Sequence, residues 1–165
     1  MFICDICLKN EILCPGCEDK LQKGDITELE VALSKTLYKL SDTFPGLRAV
    51  ELLRVIEADE LVIVLTKKGH ARRLVGKGGR VIKEITKEMG RKVKALEEAG
   101  DKELVEALLF PARVLRVNIL YLPGEGEKFK VLVPKGDASK LLTSVTALQE
   151  ALRELTGKNM VIAFE

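Results

Sequence analysis

The predicted helices and strands of this chain occur in the same order twice. Apolar residues at helical spacing, such as Ile26, Leu29 and Leu33, predict helices, and short apolar runs predict strands. The first round reads helix, strand, strand, helix, helix, strand over residues 25–42, 50–58, 61–66, 69–75, 80–89 and 92–96. The second round repeats this order over residues 101–109, 114–122, 129–134, 137–142, 147–156 and 159–164. We therefore predict an α+β fold with two tandem αββααβ domains, over residues 25–98 and 101–165.

A shift of the sequence by 67 positions aligns the second halves of the two rounds without a gap. Gly69 then meets Gly136, and Gly90 meets Gly157. Such pairings can also arise between unrelated helix pairs, but the identical element order together with two matched glycines favours an internal duplication.

A glycine-rich basic loop, Gly76-Lys77-Gly78-Gly79, lies between two predicted helices of the first round. Glycine has no Cβ, so the backbone can approach a phosphodiester closely and can adopt positive φ values. The free N–H groups at the start of the following helix favour an anion. The loop fits neither the Walker A pattern nor the dinucleotide pattern Gly-x-Gly-x-x-Gly. We predict that it binds the phosphates of a nucleic acid.

Positive charge gathers around this loop. Residues 67–94 hold eleven cationic and two acidic side chains, a net charge of +9, whereas the whole chain carries only +2. The remainder therefore sums to about −7, and the field that would steer a nucleic-acid backbone is local. The candidate RNA-binding residues are Arg72, Arg73, Val75, Gly76, Lys77, Gly78, Gly79, Arg80, Ile82, Lys83 and Lys87.

The four cysteines, Cys4, Cys7, Cys14 and Cys17, form the pattern Cys-x2-Cys-x6-Cys-x2-Cys. Two Cys-x-x-Cys pairs supply the four thiolates of a tetrahedral Zn²⁺ site. Residues 1–20 are therefore predicted to form a structural zinc module that needs the metal to fold. Disulfides and a thioredoxin-like redox pair suit the context less well, and an iron–sulfur cluster stays chemically open. The expected apolar contacts of the module are Phe2, Ile3, Ile6, Leu8 and Ile12.

The run from Val75 to Ile85, Val-Gly-Lys-Gly-Gly-x-x-Ile-x-x-Ile, resembles the Gly-x-x-Gly signature of KH domains. Over residues 25–165 the two rounds resemble the paired type II KH domains of the NusA transcription factors, especially their short archaeal members. The resemblance implies that the glycine loop clamps single-stranded RNA of about four nucleotides. It also implies that Leu74, Val75 and Ile82 form the apolar edge of the base groove.

The chain departs from this family in three ways. It has no S1 domain, which the short archaeal relatives also lack, and its cysteine module is an addition that suggests a further attachment. In the second round Thr143-Ser144-Val145-Thr146 stands where the first has the glycine loop. Branched side chains obstruct a close approach of the backbone, and no lysine is present to meet a phosphate. We predict that the second domain keeps the fold but lacks the RNA-binding loop.

Together these features predict a non-enzymatic RNA-binding protein without a small-molecule substrate. The resemblance extends this to a NusA-like role in transcription elongation or termination. The alternative is a protein-interaction adaptor on RNA polymerase or the ribosome, with the KH units as scaffold. The one histidine, His70, is expected to be a surface cap or a phosphate neighbour and not a general base.

Composition sets the expected surroundings of the protein. The sequence contains neither an apolar run long enough to span a membrane nor a signal-peptide layout, so we expect a cytoplasmic protein without a membrane partner. Charged residues make up 32% of the chain, and asparagine and glutamine are few, which favours a thermophilic source.

Overall fold

The computed structural model describes residues 1–165 and divides into two compact units. The first unit contains Met1–Val55 and Val64–Glu97, and the second contains Ile56–Ile63 and Glu98–Glu165. The end of one β-hairpin, Ile56–Ile63, therefore groups with the C-terminal part of the chain.

The first unit begins with three helices, α1 (Asp5–Lys9), α2 (Pro15–Gln22) and α3 (Glu28–Leu40). The hydroxyl of Thr27 accepts a hydrogen bond from the N–H of Glu30 at 3.1 Å and caps α3. Because of this cap, α3 begins three residues later than the sequence pattern predicts. The two short helices α1 and α2 were not predicted.

The N-terminal helices share one small apolar core with α3. It contains Ile3, Cys7, Leu8, Cys17, Ile26 and Val31. Two of the expected apolar contacts are wrong, because Ile6 and Ile12 are 67% and 84% exposed. The module is therefore held by α3 as well as by its own few apolar residues.

A three-stranded sheet in the order β1-β2-β3 and two further helices complete the order expected for the first round. Their bounds are β1 (Leu52–Ala58), β2 (Leu61–Thr66), α4 (Ala71–Val75), α5 (Arg80–Met89) and β3 (Lys92–Glu97). α5 packs against α3, α4 and β3, and it buries Val81 and Ile85. This packing fixes the start of α5, and with it the end of the glycine loop.

The second unit repeats the order, except that a 3-10 turn stands in place of one α-helix. Its elements are α6 (Asp101–Leu109), β4 (Arg116–Leu122), β5 (Gly126–Val133), α7 (Val145–Thr156) and β6 (Met160–Phe164). β4 and β5 are antiparallel with Ile119 opposite Phe129, and β6 runs parallel to β5 with Met160 opposite Phe129.

The helix predicted over residues 137–142 is instead a 3-10 turn over Lys135–Lys140. The carboxylate of Asp137 accepts hydrogen bonds from the N–H and the Nε of Arg113 at 2.9 and 3.0 Å. Leu141 is already extended, so the turn cannot lengthen into an α-helix.

Of the two matched glycine pairs, Gly90 and Gly157 have the same structural role, whereas Gly69 has a positive φ of +86° and Gly136 does not. Gly90 ends α5 at φ +68° and Gly157 ends α7 at φ +72°, both in the left-handed conformation that commonly terminates a helix. The shift of 67 positions therefore aligns equivalent helix ends. None of the helices is both long enough and apolar enough to cross a membrane.

Candidate nucleic-acid interface

The glycine loop is a sharp turn between α4 and α5. Gly76 has φ +74° and ψ 173°, a combination that is essentially limited to glycine. A 3-10 turn over Lys77–Gly79 follows, and α5 begins at Arg80 without a side-chain N-cap. The first amide groups of α5 are therefore without a capping side chain, and a helix N-terminus of this kind favours an anion.

The glycines of the loop differ in the space around them. A Cβ added to Gly76 would lie 2.4 Å from Cγ2 of Val81, so this position has no room for a side chain. A Cβ on Gly78 would meet nothing within 4 Å, although Gly78 has φ +63°. Gly76 is thus needed to build the turn, whereas Gly78 is open to whatever binds there.

Four predicted cationic residues of the loop and α5 are exposed and take part in no ion pair. They are Lys77, Arg80, Lys83 and Lys87. The last three are spaced along one face of α5, because residues three, four and seven positions apart are neighbours on a helix. This face therefore presents three cations that form no ion pair with a carboxylate of the chain.

Two further predicted residues, Arg72 and Arg73, are exposed on α4. Nε of Arg72 donates to the carbonyl of Gly69 at 3.4 Å, and Nη1 of Arg73 donates to the carbonyl of Ala49 at 3.2 Å. Each guanidinium keeps further N–H donors for a ligand. Because the backbone already holds these side chains, binding through them would cost less side-chain entropy.

The apolar residues expected at the base groove separate into two groups. Val75 is 37% exposed and Ile82 is partly exposed, so both can contact a ligand. Leu74 is only 1% exposed and belongs to the core, so its expected contact with bases is wrong.

Two residues near the loop differ in part from what the sequence predicts: His70 is not a helix cap, while its place beside a phosphate stays a prediction, and Lys94 is partly buried. Nδ1 of His70 accepts a hydrogen bond from the N–H of Glu51 at 2.9 Å, and the side chain caps no helix. Burial lowers the pKa of Lys94 to about 8. Lys94 is therefore still mostly protonated at neutral pH, but it loses its charge at a lower pH than a solvated lysine.

The four cysteines form a second candidate site at the N-terminus. Their sulfur atoms all lie within 4.8 Å of one another, with Cys4 Sγ at 3.4 Å from Cys7 Sγ and 3.9 Å from Cys14 Sγ. Tetrahedral Zn²⁺ with Zn–S bonds of about 2.3 Å would place its sulfurs about 3.8 Å apart. The four thiols thus fit a single tetrahedral metal ion.

Helix starts hold these thiols together. Cys4 and Cys14 are the N-cap residues of α1 and α2, so each Cys-x-x-Cys pair spans the first turn of a helix. The N–H of Cys17 donates to Cys14 Sγ at 3.4 Å and lowers the pKa of Cys14 to about 7. At Cys7 the N–H of Cys14 acts to lower the pKa, but burial and the neighbouring thiols outweigh it and raise the pKa to about 12.

The segment of the second unit that corresponds to the glycine loop has another structural role. The hydroxyl of Ser144 accepts a hydrogen bond from the N–H of Ala147 at 3.2 Å and caps α7. The same hydroxyl donates to Oδ2 of Asp59 at 2.8 Å. The Ser144 hydroxyl thus makes its hydrogen bonds within the protein. The backbone at Gly78, by contrast, is open to a ligand.

Residues 28–102, which contain the glycine loop, match the family described as KH domain. The chain is also similar to the small ribosomal subunit protein eS7A of Saccharomyces cerevisiae, with 28% identity over 149 residues, 86% of this chain and 75% of the relative. Among solved structures, the crystal structure of APE1850 matches with a TM-score of 0.55 and 22% identity. That match covers 77% of this chain and 96% of the solved chain, and it concerns the fold.

Proposed function

We propose that this chain is a non-enzymatic RNA-binding protein whose KH domain grips single-stranded RNA at Gly76–Gly79. The observation that supports it best is the exposed Lys77-Gly78 pair directly before the uncapped start of α5. A phosphate there would meet a lysine, open backbone and the amides of a helix N-terminus together. The bases of the bound RNA would contact Val75 and Ile82.

In the same proposal the second αββααβ unit is a KH-type domain that no longer binds RNA through this loop and acts as a scaffold. The capping role of Ser144 and the absence of glycine and lysine from residues 143–146 support this. The cysteine cluster holds structural zinc, since four cysteine ligands fill a tetrahedral ion and leave no position for a reacting water.

The cellular role we propose is NusA-like, in transcription elongation or termination, as an analogy from the fold. The second candidate is an adaptor on RNA polymerase or the ribosome, and the similarity to a ribosomal protein favours the ribosome for that role. Sequencing of RNA crosslinked to the protein in its own cells separates the two, because nascent transcripts support the first role and ribosomal RNA the second.

Replacement of Lys77 and Gly78 by aspartate tests the grip. Two carboxylates would then lie where a phosphate should bind, and Gly78 has the space and the left-handed conformation that aspartate tolerates. We expect the affinity for a short single-stranded RNA, measured by fluorescence anisotropy, to fall at least about tenfold. The slope of log affinity against log salt should also decrease by about 0.7 for the lost cation.

The chain contains a matched control for this experiment. Lys23-Gly24 is also a Lys-Gly pair, with Gly24 at φ +79° and nothing within 4 Å of its Cβ position. The K23D/G24D variant carries the same change of charge outside the interface; it loses an exposed ion pair with Asp19 and adds carboxylates at the C-terminus of α2, so its fold is checked by circular dichroism first. Equal loss of affinity in both variants, or none in K77D/G78D, would contradict the proposed grip and leave the adaptor role.

A further inference from the structure

A pocket lies beside the basic face of α5, between the start of that helix and the segment that follows α3. It has a volume of about 370 Å³. The residues that line this lateral pocket are Leu40, Thr43, Phe44, Arg80, Lys83 and Glu84. All of them belong to the first unit. Ligand sites commonly span about 300–1,000 Å³, so the lateral pocket has the size for one small ring system.

The lateral pocket is separate from the base groove of the glycine loop. Arg80, Lys83 and Glu84 are three and four positions apart, so they lie on one face of α5. Ile82, which would contact bases in the groove, follows Arg80 by two positions and therefore points about 160° away from it. The N-terminus of α5 lies between the two sites. A strand held at Gly78 can thus extend past this N-terminus into the lateral pocket.

Phe44 gives the lateral pocket an aromatic wall. Its side chain is half-buried, so part of the ring is accessible. The backbone holds the residue on both sides, since its N–H donates to the carbonyl of Leu40 at 2.8 Å and its carbonyl accepts from the N–H of Leu47 at 3.0 Å. Nucleic-acid bases stack on aromatic rings that are placed next to cationic side chains.

The polar groups of the lateral pocket have no partners within the protein. Arg80 and Lys83 are exposed and form no ion pair, and Glu84 forms none either. The hydroxyl of Thr43 makes no hydrogen bond. A complementary ligand must therefore offer an anion to the cations and hydrogen-bond donors to the carboxylate. A nucleotide within an RNA strand has both, because its phosphate is anionic and its base carries donors.

Glu84 distinguishes among the four bases. An ionised carboxylate only accepts hydrogen bonds, and its two oxygens can accept two in parallel. Guanine presents two neighbouring donors, N1–H and N2–H, on its Watson–Crick edge, and its O6 accepts from a lysine or arginine. Adenine and cytosine present one amino donor beside a ring nitrogen that is itself an acceptor, and uracil presents one N–H between two carbonyls. The charges of the lateral pocket are therefore complementary to guanine.

We propose that the lateral pocket binds a guanine base of the RNA strand, next to the nucleotides held at Gly76–Gly79. The base stacks on Phe44, and its N1–H and N2–H donate to Glu84. The adjoining phosphate and the O6 of the base contact Arg80 and Lys83. This proposal rests on the proposed RNA grip and adds to it a base preference outside the glycine loop.

Fluorescence anisotropy with the full chain tests the base preference. An oligouridylate of about eight nucleotides is compared with versions that carry a single guanine at each position in turn. We expect guanine to raise the affinity about tenfold at one or two positions near one end of the strand, through stacking and paired hydrogen bonds. Adenine at those positions should raise it less, because adenine stacks equally well but lacks the second donor.

Two variants assign the preference to the lateral pocket. Glu84→Gln keeps the size of the side chain and leaves at most one of the two hydrogen bonds, so the ratio of guanine to uracil affinity should fall below about threefold. Phe44→Leu removes the aromatic face and should also lower this ratio. The matched control is Glu88→Gln, one turn further along α5, which makes the same change of charge outside the pocket and loses an ion pair with Lys39. It should keep the wild-type ratio.

Each result is a ratio within one variant, so a general change in RNA affinity cannot produce it. A guanine gain that is absent, that is equal at every position, or that Glu84→Gln leaves unchanged overturns the lateral pocket. The grip remains supported in these cases if the oligouridylate binds and K77D/G78D weakens that binding. If the wild type binds none of the oligonucleotides, the proposed grip itself fails, and the lateral pocket fails with it.

Discussion

At the residue scale, Gly76 and Gly78 lie in one loop, but a side chain is excluded at Gly76 and has open space at Gly78. The backbone of Gly76 lies in a region that side chains avoid, and its Cβ position is filled by Val81. We expect Gly76→Ala to lower the free energy of unfolding by about 3 kcal/mol, through backbone strain and overpacking together. Gly78→Ala, in open space and the left-handed region, should cost about 1 kcal/mol.

Urea unfolding followed by circular dichroism measures both values, and anisotropy measures the effect on RNA binding. Gly78→Ala should retain most of the affinity because it adds one methyl group and leaves Lys77 in place. If the two alanine variants were equally stable, the loop conformation described above would be wrong.

Asp137 shows how one buried carboxylate can hold a turn. It is 2% exposed, and its oxygens lie 3.0 Å from Nε of Arg113 and 3.2 Å from Nζ of Lys140. Hydrogen bonds from the Arg113 side chain and backbone hold the pKa of Asp137 well below its usual range. At neutral pH we expect Asp137→Asn to lower the midpoint of thermal unfolding by roughly 5 °C, through the loss of charge-assisted hydrogen bonds.

The pH dependence of this effect has a definite sign. Because the folded pKa of Asp137 is depressed, the carboxylate stabilises the fold above the unfolded pKa of about 4 and loses that effect as the pH falls further. The difference in melting temperature between wild type and D137N should therefore be largest at neutral pH and shrink below pH 4. Differential scanning calorimetry across that range checks this, and a constant difference would show that the charge is not responsible.

At the scale of elements, the long periodic helices were predictable, whereas the short helices α1 and α2 and the turn at Asp137 were not. α5 and α7 show apolar periodicity over ten residues or more, and their glycine ends were found from the sequence. α1 and α2 are too short to show a period, and they form where the thiols and α3 hold them. The turn at Asp137 depends on Arg113, 24 residues earlier, which no local pattern reveals.

The candidate site shows the same division. Local sequence motifs revealed the loop glycines, the exposed cations and the four cysteines. In the structure the four cysteine sulfurs lie within 4.8 Å of one another, close enough to bind one metal ion. Burial, however, is a property of packing. The sequence pattern could not separate Val75 at the surface from Leu74 in the core, nor reveal that the apolar run after Arg116 is an exposed edge.

At the scale of the whole molecule, packing connects the two candidate sites of the first unit. The cysteine module packs on α3, where the N–H of Phe2 donates to the hydroxyl of Ser34 at 3.2 Å. α3 in turn contacts α5, since Lys39 pairs with Glu88 at 3.0 Å and Thr36 lies 3.6 Å from the sulfur of Met89. α5 carries the glycine loop at its N-terminus. A change at the thiols can therefore reach the glycine loop through two packed helices, α3 and α5.

Removal of the metal tests this connection. With four thiolates no longer neutralised by an ion, the module should unfold and expose the apolar surface of α3 that it covers. Hydrogen exchange followed by mass spectrometry should then show faster exchange in α1, α2 and α3, and RNA affinity should fall by only a few-fold because the loop itself is intact. Elemental analysis should find one zinc per chain, whereas iron with visible absorbance would indicate a cluster instead.

Cys4→Ser separates loss of the metal from loss of thiol packing, because Cys4 is exposed whereas Cys7 and Cys17 are buried. This variant removes one ligand and leaves the apolar core of the module in place, so its exchange pattern should match that of the chelated wild type. A chelator should then change the variant little further. If the wild type holds no metal, or if its exchange is unaffected by a chelator, packing against α3 alone suffices to fold the module. The metal would then have no influence on the structure of the glycine loop.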